Sequence, residues 1–221
     1  MTNNPWTSLL LALIAFLALM GPTAGAENSD NIMVVGDLFD IAESNLDPAQ
    51  ESSGLLADKA QIVETLVGVN ADMSLTPKLA LSWSQIDDLT WEFKLRDDVY
   101  FHDGSKMTAD DVAFSLERAD KLNSRIPTLL RMESIEVIDP LTIRIKTSDP
   151  NPTLPAALHF AAPLAIISPK SVNDKGEVVA PIGTGPFKFD GYDESTHVLT
   201  VAKNANWWGG EVKLDGIVIK P

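Results

Sequence analysis

The stretch Leu89–Ala119, LTWEFKLRDDVYFHDGSKMTADDVAFSLERA, decides the fold. Leu89, Trp91, Phe93 and Leu95 alternate with Thr90, Glu92, Lys94 and Arg96, the period of a strand with one buried face. Asp103-Gly104 signals a tight turn, because glycine accepts the positive φ that a short hairpin needs. Thr108, three residues ahead of Asp111, makes a capping box, and Asp110 and Asp111 are acids at the positive end of a helix. The helix is predicted from Ala109 to about Lys121, with Val112, Leu116 and Ala119 on its apolar face. Strand, turn and capped helix follow one another, and none of them carries a catalytic group.

Outward from this block the pattern is mixed. On the C-terminal side, SIEVIDPLTIRIKT reads as two alternating strands around Asp139-Pro140. LAIISPKS reads as an apolar strand running into a turn, and IGTGPFKFDGYDESTHVLTVAKN as a strand pair bending between Tyr192 and Thr196. The last strand, in VKLDGIVIKP, is expected to leave an open apolar edge at Gly216 to Lys220. On the N-terminal side, Ile32 to Val35 reads as a strand leading through a polar loop to Leu46-Asp47-Pro48. Leu56, Ala60, Val63 and Val67 recur at helical spacing and predict a helix over Leu55 to Val67. TPKLALSW reads as a connecting turn that ends on Trp83. Hairpins with helices interspersed, rather than alternating, predict an α+β fold with mixed sheets.

The chain has 221 residues and a formal net charge of −14. That acidity argues against nucleic acid and against an anionic membrane surface, which require gathered Lys and Arg. Leu9 to Met20 is an apolar run of signal-peptide length, followed by Ala24-Gly25-Ala26 in a cleavage pattern and then by Glu27. No Lys or Arg precedes Leu9, so an uncleaved N-terminal anchor is the alternative. Residues 1–26 are expected to be a signal peptide, and residues 27–221 an exported, periplasmic domain. With no cysteine there is no disulfide framework, no thiolate metal site and no direct lipid anchor through a lipobox.

The candidate chemistry is sparse. PIGTGPF has the glycines of a phosphate loop but no Lys-Ser/Thr, and Pro186 stands where a helix would begin, so Gly183 and Gly185 are read as permitting a tight turn. His102, His159 and His197 lack metal-ligand spacing and are read as structural or surface residues. Trp207-Trp208 could form a stacking platform, against core packing beside a glycine turn. No nucleophile elbow is found, and no pair of carboxylates stands out. Neither a cofactor nor a metal site is expected, and the chain is read as a binding protein rather than an enzyme. A secreted hydrolase with an unidentified acid pair is the alternative, and a non-functional remnant the third.

The Leu89–Ala119 block, together with NLDPAQ, LTPKLALSW, APIGTGPFKF and NANWWGGEVKLDGIVIKP in that order, resembles the family 5 extracellular solute-binding proteins. These are the peptide- and nickel-binding receptors of ABC importers, and the resemblance runs from about Ile32 to the last residue. It implies two lobes that close over a ligand, a type II periplasmic-binding-protein fold, no chemical step, and delivery to permease subunits by a receptor that is monomeric when full length. Members of the family are more than twice as long, so the chain is expected to be a truncated form, with residues 27–221 as its first lobe and the second absent. Glu51, Ser52, Ser53 and Gly54 match the family segment beside the ligand, where exposed backbone could pair with an extended peptide. The alternative is that Ser52 or Ser53 caps a following helix. Arg125 could meet a ligand carboxylate, against a solvated surface role. The expected ligand is an oligopeptide, nickel or a nickel chelate.

Overall fold

The computed structural model describes residues 31–36, 46–50, 57–160 and 162–221. Residues 1–26, expected to be a signal peptide, and the candidate contacts Glu51, Ser52, Ser53 and Gly54 lie outside them.

The central block folds largely as its pattern predicts. Strands β1 (Ile32–Gly36), β2 (Val67–Val69), β3 (Leu75–Pro77), β4 (Ala80–Asp87) and β5 (Thr90–Leu95) precede helix α1 (Ala109–Leu122). A short helix α2 (Ile126–Leu130), strands β6 (Met132–Asp139) and β7 (Thr142–Thr147), and helix α3 (Leu154–Phe160) follow. β5 lies inside an antiparallel sheet of order β4-β5-β7-β6, with Phe93 opposite Ile143 and Trp91 opposite Ile145. Phe93, Leu95, Ile143 and Ile145 are buried and share a core with Val112, Leu116 and Ala119 of α1. The helix starts where the capping box puts it: the Thr108 N–H donates to the Asp111 carboxylate at 2.8 Å. The N–H of Ala109 reaches the Pro140 carbonyl at 2.8 Å, which fastens the helix start to the β6–β7 turn. Gly104 holds φ +83, as a tight turn requires, although the ladder around it is a single bridge between Tyr100 and Lys106.

A second sheet, of order β1-β10-β9-β8, is built from β8 (Phe187–Asp193), β9 (Val198–Lys203) and β10 (Gly216–Lys220) together with β1. β1 runs parallel to β10 and the other pairs are antiparallel, so this sheet is mixed. Its buried face, with Phe187, Leu199, Val201, Ile217 and Ile219, packs a separate core against Ala57, Ala60, Ile62 and Val63. The α+β reading with hairpins and mixed sheets holds.

Four local expectations are corrected. The predicted helix over Leu55 to Val67 is met among the described residues only at 57–59, which are helical. Gln61 takes φ +55, and the chain then extends through Glu64 into β2. Its apolar residues recur at helical spacing because they enter two cores, Ile62 and Val63 one, Leu66 and Val67 the other. TPKLALSW is not a turn but the end of β3 and the start of β4, with Trp83 packed on the first core. LAIISPKS forms one bridge, Ile166 to Glu64, rather than a strand. β10 is not an open edge, because it is flanked on both sides; among the described residues the edges of this sheet are β1, whose Val34 is 62% exposed, and β8.

Candidate ligand-binding site

The turn Leu46-Asp47-Pro48 is anchored from below. Leu46 takes φ +56, and Asp47 is fully buried, accepting the Ala49 N–H at 3.0 Å. Arg118 of α1 meets both oxygens of that carboxylate at 2.6 Å each, a bidentate pair with its guanidinium almost wholly out of solvent. The period of α1 puts Arg118 beside the apolar stripe, so it can reach inward. The same guanidinium donates to the Gly176 carbonyl at 3.1 Å. The chain that leads into Glu51 is thus fixed to the helix.

At the C-terminal end of α1 one side chain joins the two regions read as candidate contacts. The buried Asn123 donates from Nδ2 to the Ala49 carbonyl at 3.4 Å, and its Oδ1 accepts the Arg125 backbone N–H at 3.1 Å. Ala49 stands two residues before Glu51, so the described base of that segment and Arg125 meet on a common partner. Arg125 is exposed and flanks the start of α2. It lines a hollow of about 750 Å³ together with Thr128, Leu129 and Arg131 on one side and Pro150 to Thr153 on the other. Asn151 sets the hollow's shape. Its amide donates to the Leu129 and Leu130 carbonyls at 3.3 and 3.1 Å, and its own carbonyl accepts the Trp91 indole N–H at 3.1 Å.

A third polar group is internal. Glu64, 3% exposed, accepts from the Thr184 hydroxyl at 2.9 Å and from the Trp208 indole N–H at 2.8 Å. Burial pushes its carboxyl above the usual carboxylate range, opposed by Lys78 and by those hydrogen bonds. Arg96 lies 4.3 Å over the Trp208 ring. Trp207 packs on the second core and Trp208 on the first, which is the packing role rather than a stacking platform. Gly183 and Gly185 are required by close approach and not by turn geometry. A Cβ on either would stand 2.0 or 2.1 Å from the Ile62 or Gln61 carbonyl oxygen.

The histidines serve the scaffold. His102 contacts the Gly185 carbonyl at 3.0 Å through Nε2, so that nitrogen carries the proton, and burial lowers the ring's pKa. His159 contacts the Val67 carbonyl at 3.2 Å, and His197 sits in the β8–β9 turn at φ +55. Among the described residues no three or more His, Cys, Asp or Glu side chains gather as metal ligands. Sequence reasoning singled out Arg125, which lines this hollow, and gave no reading of Asp47–Arg118, Asn123, Asn151 or Glu64. Buried polar residues of this kind have no periodicity of their own, and only the Asp47-Pro48 turn gave any signal.

Residues 74–221 match the model of the bacterial extracellular solute-binding proteins, family 5. A glutathione-binding protein, GsiB, of Pectobacterium atrosepticum is 32% identical over 200 residues, covering 87% of this chain and 38% of the relative. Among solved structures, the nickel ABC transporter from Bacillus halodurans superposes with a TM-score of 0.75 at 30% identity, over 86% of this chain and 38% of that one. The binding protein DppA from Helicobacter pylori, in complex with the peptide STSA, gives 0.72 at 28% identity, over 86% and 42%. The chain thus spans about two fifths of the length of these proteins, and its α+β architecture is that of the corresponding part of a type II periplasmic binding protein. Fold, motif order and sequence agree: the chain belongs to the family 5 bacterial extracellular solute-binding proteins.

Proposed function

We propose that this chain captures short peptides outside the cytoplasmic membrane, as the receptor part of an ABC importer that hands its ligand to permease subunits. The observation that carries the reading is the Asn123 junction, which holds the base of the 51–54 segment and Arg125 at one end of a buried helix. A peptide laid along Glu51, Ser52, Ser53 and Gly54 would pair through its backbone, and Arg125 would receive its carboxylate. A carboxylate-bearing nickel chelate is the second reading, favoured by the likeness to the nickel transporter of Bacillus halodurans. Either ligand would be bound without turnover, by a periplasmic, monomeric receptor.

The test is a chemical-shift titration of the chain with tripeptides, the same peptides amidated at the C-terminus, and nickel–histidine. Millimolar affinity is expected for the free acids, because the hollow is wide and open. Amidation should weaken binding severalfold, and Arg125→Ala should remove the difference between acid and amide. Equal binding of acid and amide by the parent chain would refute the assignment, and hydrolysis of the peptides would refute the receptor reading.

A further inference from the structure

Arg131, at the C-terminal end of α2, lines the same hollow as Arg125 at its start. We propose that it is a second anchor for the ligand, and that the preferred ligand is a short peptide carrying two carboxylates. This deepens the peptide reading above and rests on it. Two arginines lining one hollow place two positive charges where a single carboxylate would use one.

The other observations concern Arg131 itself. Arg96, Arg118 and Arg144 each hold a carboxylate, at 2.8, 2.6 and 2.9 Å. Arg131 has no ion pair and no side-chain hydrogen bond among the described residues, in a chain with 31 acids against 17 Lys and Arg. Its side chain is exposed while its backbone is fixed, the N–H on the Pro127 carbonyl at 3.0 Å and the carbonyl on the Ser148 N–H at 2.8 Å. The backbone also sits at φ +50, ψ +39, closing α2 in the left-handed conformation. Glycine or asparagine takes that conformation at less cost, so an arginine there carries a local penalty. A guanidinium directed at ligand gives that penalty a use. The short, anchored backbone on each side also lets the fork present its donors without ordering a loop.

The test compares glutathione, with two carboxylates, and its glutamyl α-monoethyl ester, which keeps only the C-terminal carboxylate assigned to Arg125, by chemical-shift titration of the parent chain, Arg131→Gly and Arg131→Lys. Glycine fits φ +50, so the Arg131→Gly fold is expected to be at least as stable as the parent. The parent should bind glutathione about three- to tenfold more tightly than the ester. Arg131→Gly should bring the ratio to about one while leaving the ester's affinity unchanged, and Arg131→Lys should restore part of it. If both ligands bind the parent and the ratio survives in Arg131→Gly, the second anchor is refuted and the peptide reading stands. If neither ligand nor any other tripeptide binds the parent, both are refuted.

Discussion

Replacing Arg118 by methionine tests whether the entry to the candidate site is held by the buried ion pair. Asp47 is fully buried, and Arg118 gives it two donors at 2.6 Å from a side chain only 10% exposed. Arg118→Met keeps most of the stem's volume and removes both of those donors. The Ala49 N–H and the Gln50 amide remain on the carboxylate, at 3.0 and 3.3 Å. Such local donors do not replace a bidentate guanidinium around a charge out of water. Stranding one member of a buried pair costs about 3–5 kcal/mol, about a fifth or more of the roughly 5–15 kcal/mol that holds a domain folded. Urea unfolding of parent and variant at one pH would show it as a lowered midpoint with an unchanged slope. The double variant Asp47→Asn, Arg118→Met should lose much less than the sum of its singles, because no charge is then left stranded. A loss below about 1 kcal/mol for Arg118→Met would mean that the pair behaves as a surface pair, and the argument for a fixed entry would fall.

Two further outcomes are expected. Gly104→Val should lower stability by about 1–3 kcal/mol, wholly through the backbone. Its φ is +83 and a Cβ there meets nothing within 4 Å, so equal unfolding midpoints would refute the turn geometry. Glu64→Gln should change how stability depends on pH. The folded carboxyl is raised by burial, so the folded state resists ionisation more than the unfolded chain does. The favourable difference is present below the ordinary glutamate range and is lost as pH rises through the raised value. The introduced amide would keep an oxygen for Thr184 and Trp208, so this variant should gain on the parent as pH rises from the ordinary glutamate range towards neutrality. A constant difference across that range in matched melts would refute the burial argument.

The regular elements were legible because their apolar residues report a single buried face. Phe93 and Leu95 on β5, and Val112, Leu116 and Ala119 on α1, face one core, so their spacing carries the element type directly. Two of the misread segments have two buried faces. In LAIISPKS, Leu164 and Ile166 enter the first core while Ala165 and Ile167 enter the second, and a run buried on both sides shows no alternation. The segment from Ile62 to Val67 does the same in pairs, and its accidental helical spacing followed. Arg125 was legible as a cation in a loop after a predicted helix. Its neighbourhood was not, because Asn123, Asn151 and Asp47 act across separations of 74, 22 and 71 residues. The 51–54 segment lies outside the described residues, and its role stands on the resemblance and on the anchoring of its base.

The segments buried on both faces also explain what the chemically quiet block does. Residues 61–67 and 164–167 lie between the two cores and are joined to each other where the Ile166 N–H meets the Glu64 carbonyl at 2.8 Å. The Gly185 N–H reaches the Ile62 carbonyl at 3.0 Å, an approach open only to a residue without a side chain. Helix α1 is tied into the same seam: the Ser115 hydroxyl lies 3.1 Å from both the N–H and the carbonyl of Ile167, accepting from one and facing the other. Tilting α1 against either sheet would therefore break hydrogen bonds in a dry interior, where each unsatisfied group costs about 1–3 kcal/mol. The helix that bears Arg118 partway along, and Asn123 and Arg125 at its end, is held from both cores at once. A receptor gains affinity by not having to order its contacts on binding. The capped helix and the hairpins give the Arg118 side chain and, through Asn123, the Arg125 backbone that fixed position.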